Sequence, residues 1–174
     1  MEVFDAIKLR KSVRAYDEKP VPEAALARIL ESARISPSAA NYQPWHFIVV
    51  KDKTRREALA GGAWAKFLKE SPIVIVGCGD KKKSPDWSTV DVTIAMQTMV
   101  LQATSEGLGT CWIGSFEEDD VKALLKIPKD FEVVALLAVG YPREKLDLVK
   151  ALVGKRRKDL GEIVSAEEFG KPFV

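Results

Sequence analysis

Pro37-Ser38-Ala39-Ala40-Asn41-Tyr42-Gln43-Pro44-Trp45 is the stretch on which the reading of this chain turns. Two prolines frame it, small side chains fill its front half, and Ser38, Asn41 and Gln43 offer uncharged hydrogen-bonding groups beside Tyr42 and Trp45. Proline fixes φ and removes a donor, so Pro37 stops the helix before it and Pro44 holds the chain extended as it enters the next strand. The loop is therefore stiff. A slender, rigid loop with amide side chains suits a flat heterocycle presenting donors and acceptors along its edge, because hydrogen bonds fix orientation while small residues permit close contact. The plainer alternative is a helix-to-strand turn in which Asn41 and Gln43 satisfy backbone groups.

Upstream, Pro22 suits the first position of a helix, and Leu26, Ile29, Leu30 and Ala33 repeat at helical spacing until Ser36-Pro37 ends it. Val3, Phe4 and Ile7 fall on one side of a shorter helix that runs into Lys8-Leu9-Arg10-Lys11 and breaks at Ser12. Downstream, residues 46–50 read as a buried strand, 54–59 as a short helix, and 73–76 as a second strand whose end Gly77 and Gly79 loosen. Residues 80–86 form a charged turn. Strands at 110–113 and 132–140 bracket a helix at 117–125 whose acidic first turn complements its dipole.

Residues 91–106 predict a long helix closed by Gly107. Its apolar residues, Val92, Ile94, Ala95, Met96, Met99, Val100, Leu101 and Ala103, spread around most of the circumference, so it must be buried on nearly every side. A small domain covers one broad face, and the second is expected against another subunit; the alternative is a central helix wrapped by its own sheet. From Arg143 onward the chain is rich in charge, with Leu160, Ile163, Val164, Phe169 and Phe173 as its apolar anchors. Such a tail is expected to lie across a neighbouring subunit.

The 174 residues amount to one domain, 1–174, with a core of ordinary size. Hydrophobic residues make up 47% and charged residues 30%, which argues against disorder, and a net charge of +2 calls for neither nucleic acid nor an anionic membrane. The acidic N-terminus lacks the charge of a signal peptide, and no apolar run is long enough to span a bilayer. Cys78 and Cys111 stand alone in apolar surroundings and read as small core residues, with a reducing cytoplasm as the simplest setting.

Arg10, Lys11, Ser12 and Arg14 place three cations and a hydroxyl within five residues. A phosphate wants that arrangement, since guanidinium bonds can be bidentate and the hydroxyl adds a neutral donor. A basic run at a helix C-terminus can equally be solvated and complement the dipole. Lys155-Arg156-Arg157-Lys158 is a second basic run, open to the same plain reading.

Three segments together resemble the FMN-dependent nitroreductase family: Arg10-Lys11-Ser12-Val13-Arg14, residues 37–45, and Gly107-Leu108-Gly109-Thr110-Cys111-Trp112-Ile113-Gly114. The resemblance implies an α+β fold, a central and mainly antiparallel sheet flanked by helices, in an intertwined homodimer with FMN at the interface. The tail, about 143–174, would then wrap the partner. It implies that Arg10 and Ser12 hold the phosphate and ribityl side with Lys11 as a further cofactor contact, that Arg14 approaches the pyrimidine end, and that Arg157, or failing it Lys155, reaches the phosphate. Pro37, Ser38, Ala39 and Asn41 would pack on the isoalloxazine edge from the opposite subunit, with Gln43 structural. Trp112, Ile113 and Gly114 would pass beside the reactive centre, a backbone N–H at or near Gly114 facing N5. The family often has proline where Asp159 stands. A cation at Arg14 has a physical use, because it stabilises negative charge that reduction leaves on the ring.

Gly77-x-Gly79 and Gly107-x-Gly109 lack the third glycine and the setting of a dinucleotide fingerprint, so NADH or NADPH is expected to dock on the flavin face and leave before the acceptor enters, a ping-pong scheme. Lys66 is read as surface, and His46, the single histidine, as packing at the start of its strand. The activity so implied is NAD(P)H-dependent reduction of nitroaromatics, quinones or similar small acceptors. A flavin reductase, a dehalogenase-like or dehydrogenase-like relative, and a non-catalytic FMN-binding protein are the alternatives.

Overall fold

The strongest apolar runs become the middle of a sheet. In the computed structural model, which describes residues 1–62, 65–143 and 157–173, four strands pair antiparallel throughout. They are β1 (Trp45–Val50), β2 (Ile73–Asp80), β3 (Gly109–Ile113) and β4 (Phe131–Gly140), in the order β1-β2-β4-β3. The helices are α1 (Val3–Leu9), α2 (Glu23–Arg34), α3 (Lys53–Leu59), α4 (Ser88–Ser105) and α5 (Glu118–Leu125). This is the helix-flanked antiparallel α+β architecture expected from the sequence.

β2 and β4 are apolar at almost every position because both faces of the sheet are covered, and the period of two sorts their side chains. Val74, Val76, Leu136 and Ala138 join Leu59, Leu68, Val121 and Ile127 on one face. Ile73, Ile75, Leu137 and Val139 join Leu26 and Ile29 of α2 and Val92, Met96, Met99 and Val100 of α4 on the other. A register shift at Gly77 and Cys78, which pair with Ala135 and Val133, skips Val134 and returns Val133 to the face of Leu136.

Gly77 and Gly79 do not loosen the end of β2, which runs through both to Asp80. They admit α4 onto the sheet: a Cβ at Gly77 would lie 2.2 Å from the Met96 sulfur, and one at Gly79 3.2 Å from the Ser88 Cβ. Pro22 is the N-cap of α2 rather than its first residue. α4 starts earlier than its apolar pattern, at Ser88, and ends before Gly107, whose φ of 75° is left-handed.

α4 buries one broad face, while Val90 and Ile94 on its other side are exposed. α1 buries only Ala6, and its Val3, Phe4, Ile7 and Leu9 face outward at 49–70% exposure. The apolar side of this helix is therefore surface in a single chain. His46 is exposed and meets the Phe131 ring edge-on at 6.1 Å. Lys66 is exposed. Both cysteines are free and buried, and burial pushes the Cys78 thiol up to about 11, Lys122 opposing and Glu118 adding to the rise. Among the described residues no helix is long and apolar enough to cross a membrane, and no group of side chains could hold a metal ion.

The chain forms two compact units, Met1–Glu144 and Lys145–Val174. In the second, Leu160–Glu162 make a 3₁₀ turn closed by a capping box between Asp159 and Glu162, and Ser165 bridges Pro172. Asp159 thus has a local use where the family pattern often places proline.

Residues 12 and 13 meet the β3 edge, and residues 15–17 pair with the chain just past β4. Ser12 bridges Thr110 in parallel, the Val13 N–H donates to the Thr110 carbonyl at 2.9 Å, and the Asp17 N–H to that of Tyr141 at 3.0 Å. The close pairing needs Gly109, where a Cβ would lie 2.6 Å from a Val13 methyl. Gly109→Ala is expected to destabilise the protein by about 1–3 kcal/mol in urea unfolding, and Val13→Ala to recover part of the loss in the double variant. Additive effects would contradict the contact.

Candidate functional site

The first group of candidate residues is placed by the break after α1. The helix ends at Leu9, and Ser12 then makes an isolated parallel bridge to Thr110, which brings the segment holding Arg10, Lys11, Ser12 and Arg14 to the β3 edge. Val13 and Tyr16 turn inward, and the Tyr16 hydroxyl donates to the Val13 carbonyl at 2.7 Å, closing the segment on itself. Burial pushes the Tyr16 phenol well above its ordinary range, the nearby Cys111 adding to the rise and the Arg14 guanidinium opposing it, so the hydroxyl stays a donor. Ser12 and Lys11 are exposed and Arg10 and Arg14 half-buried. Among the described residues Arg10 and Lys11 form no salt bridge, which leaves both cations available to an anion.

β3 continues from this segment into Gly114. Trp112 is half-buried and Ile113 buried, on opposite faces of the sheet. Gly114 is exposed, its φ is not left-handed, and a Cβ there would meet nothing within 4 Å. Among the described residues, neither a turn nor a neighbour requires glycine at 114. Ser115 beyond it is backed closely by Gly62, where a Cβ would lie 1.9 Å from the Ser115 carbonyl oxygen.

The proline-framed loop has more structure than its composition announces. Ala39–Asn41 form a 3₁₀ turn, and Ala40, Asn41 and Gln43 take φ values of 45°, 55° and 48°. Left-handed backbone is disfavoured for residues with a Cβ and costs about 1–2 kcal/mol each. Bonds within the loop hold it: the Gln43 N–H donates to the Ser38 hydroxyl at 2.9 Å, and the Gln43 amide to the Asn41 side chain at 3.1 Å. The Ala39 N–H donates to Asp91 Oδ1 at 3.0 Å, which ties the loop to the first turn of α4. Ser36, just before, accepts or donates with Thr98 at 2.9 Å, and Pro44 accepts from the Asp80 N–H at 2.8 Å. Stiffness is thus enforced by hydrogen bonds as well as by the two prolines. Gln43 is a structural residue of the loop.

The candidates converge in two groups, not one. Arg10, Lys11, Ser12, Arg14, Trp112, Ile113 and Gly114 gather along the β3 edge. Pro37, Ser38, Ala39 and Asn41 precede β1, the opposite edge, where Pro37, Ser38 and Ala39 line a recess of about 290 Å³ with Trp87, Asp91 and Ile94. Three strand spacings separate the two edges, about 14 Å. Arg157 is exposed in the second unit, and Lys155 lies outside the described residues. Sequence reasoning passed over Asp91 and Gly62: an acid in a first helical turn reads as a dipole partner, and a glycine after a helix as a stop.

Fold and site together define a helix-flanked antiparallel α+β scaffold whose relatives are recognisable. Residues 7–72 and 60–141 match the nitroreductase family. A Methanothermobacter thermautotrophicus protein assigned as NADH dehydrogenase/NAD(P)H nitroreductase is 35% identical over 151 residues, covering 83% of this chain and 79% of its own length. The FMN reductase [NAD(P)H] of Bacillus subtilis is 28% identical over 169 residues, covering 83% and 67%. An FMN-dependent nitroreductase of Clostridium difficile R20291 superposes with a TM-score of 0.81 at 31% identity, over 95% of this chain and 99% of that one. The chain belongs to the nitroreductase family.

Ala40 tests the loop directly, because it is exposed and left-handed. Ala40→Gly is expected to leave stability unchanged or to raise it by up to about 1 kcal/mol in urea unfolding, whereas the same change in a right-handed helical position costs about that much. A loss above about 1 kcal/mol would contradict the left-handed turn.

Proposed function

We propose that this chain is an FMN-dependent oxidoreductase that uses NADH or NADPH to reduce nitroaromatics, quinones or similar small acceptors, and that it works as a homodimer. One observation carries the reading: the cationic segment with Gly114 and the uncharged proline-framed loop lie at opposite edges of one sheet, so a single copy does not bring both onto one ligand, while two copies can.

The residues fit the cofactor. Arg10 and Lys11 have no salt-bridge partner among the described residues, and the Ser12 hydroxyl stands beside them, a donor set that matches a phosphate. Arg14 lies two residues beyond Ser12 in the same segment, where its charge would stabilise an electron-rich ring. At Gly114 open space replaces a side chain, so a planar ring can approach the backbone closely. Pro37, Ser38, Ala39 and Asn41 of the second copy supply an uncharged, preset face. Arg157, or Lys155, is a further phosphate donor from the tail. Bound there, FMN would supply two-electron transfer between a nicotinamide and an acceptor.

The protein's share is to grip, orient and stabilise charge, with no general base required of His46. One binding face serving donor and acceptor in turn gives ping-pong kinetics. Support for the second copy comes from the apolar surface left open in one chain: Val3, Phe4, Ile7 and Leu9 of α1, Val90 and Ile94 of α4, and Trp87. Leu160, Ile163, Phe169 and Phe173 of the tail are exposed as well, as a segment lying across a partner would require.

Purified protein supplied with FMN is expected to bind it, to bleach anaerobically with NADH or NADPH, and to recover colour with a nitroaromatic, a quinone or free flavin. The acceptor that restores colour fastest identifies the preferred class. Arg10→Ala is expected to weaken FMN binding roughly tenfold or more, the scale of a charge-assisted hydrogen bond. Failure of the wild-type chain to take up FMN, or bound flavin that neither nicotinamide reduces, would overturn the proposal.

A further inference from the structure

Asp91 is a buried carboxylate, 1% exposed, in the first turn of α4. Complementing the helix dipole needs no burial, and a carboxylate is costly to bury unless hydrogen bonds hold it. Its Oδ1 accepts the Ala39 N–H at 3.0 Å, and its Oδ2 accepts the Ser84 hydroxyl at 3.5 Å. One side chain thus joins α4, the charged turn before it and the proline-framed loop.

The loop needs such an anchor. Ala40, Asn41 and Gln43 are left-handed, and strained backbone of that kind persists only where the surroundings over-determine it. Among the described residues, the other hydrogen bonds of residues 38–43 are internal to the loop: Asn41 to Ser38, Tyr42 to Ala39, Gln43 to Ser38 and Gln43 to Asn41. Internal bonds shape the turn but do not fix where it stands. Ser36 and Pro44, which flank these residues, bond Thr98 of α4 and Asp80 of β2; between them the bond to Asp91 is the one that ties residues 38–43 themselves to a helix, and that helix packs on the sheet.

We propose that Asp91 is a positioning residue for the flavin-facing loop: through the Ala39 N–H it sets where residues 38–41 present their face to the cofactor gripped by the other copy. The proposal rests on the FMN-binding dimer described above. Asp91 touches neither cofactor nor substrate, and it acts through the loop backbone.

The test compares Asp91→Ala and Asp91→Asn in the full chain. FMN binding is read by quenching of flavin fluorescence, the ring environment by the visible spectrum of bound flavin, and the loop by amide hydrogen exchange at Ala39. Asp91→Ala is expected to weaken FMN binding about tenfold or more, as loss of a charge-assisted bond should, to change the spectrum, and to speed exchange at Ala39 while β2 and β4 stay protected. Asp91→Asn, whose Oδ1 still accepts, is expected to show a smaller shift in all three. Wild-type affinity and wild-type Ala39 exchange in Asp91→Ala would overturn the proposal, as would exchange that accelerates uniformly across the sheet, the mark of a general stability defect. If Asp91→Ala does not fold, Asp91→Asn decides alone: weaker binding with faster Ala39 exchange supports the role, and unchanged values refute it. A wild-type chain that takes up no FMN would sink the dimer reading instead, and Ala39 exchange in the apoproteins would still show whether Asp91 fixes the loop.

Discussion

Neighbouring strands stand about 4.8 Å apart, and that spacing governs what one copy of this chain can grip. With β1 and β3 at the two edges of the sheet, the loop entering β1 and the cationic segment beside β3 are held apart by β2 and β4. The middle strands cannot yield, because their side chains are buried on both faces. In the proposed dimer, a rigid body with half a site on each edge would be completed by a second copy, and the apolar surface of α1 and α4 would give that copy a place to sit. Function in this proposal follows from the width of a sheet.

Each half is held by a different kind of constraint. On the β3 side it is close packing: Gly109 lets the cationic segment approach, Tyr16 locks it from within, and Gly62 backs Ser115 just past the open position at Gly114. On the β1 side it is polar. A run of left-handed residues is stabilised by hydrogen bonds from within and by one buried carboxylate from outside. Packing tolerates little change in volume, and polar clamps tolerate little change in partner. Different substitutions should therefore damage the two halves.

Much of the architecture was legible because the relevant signals are local. Proline and glycine marked the ends of α2 and α4, the acidic first turn marked α5, and apolar runs marked β2 and β4 as strands, while the apolar run of β1, read as a buried strand, is a partly exposed edge. The resemblance supplied the mainly antiparallel sense of the sheet and the family, but not the strand order. What stayed hidden depends on contacts distant in sequence. Asp91 and Ala39 are 52 residues apart, and nothing in the composition of the loop announces that Ala40 will be left-handed. Gly77 and Gly79 read as breakers of a strand when their use is to receive Met96 and Ser88 from a helix. The stripe of Val3, Phe4 and Ile7 has the spacing of core, and spacing does not say whether the surface it meets belongs to the same chain. The cationic cluster was visible by residue type, but its position beside Thr110 was not.

Complementation between two defective chains tests the central claim most directly. Arg10→Ala damages the β3-side half and Ala39→Trp the loop-side half; if each cofactor is held by one half from each copy, a mixed dimer contains one site with both halves intact and one with both damaged. Co-expressed in equal amounts, the two variants should regain tight FMN binding at about a quarter of all sites, as random pairing of a two-fold dimer requires, although neither binds tightly alone. Mixed dimers that form and regain none would mean that both halves of a site come from the same chain, and the account would be wrong.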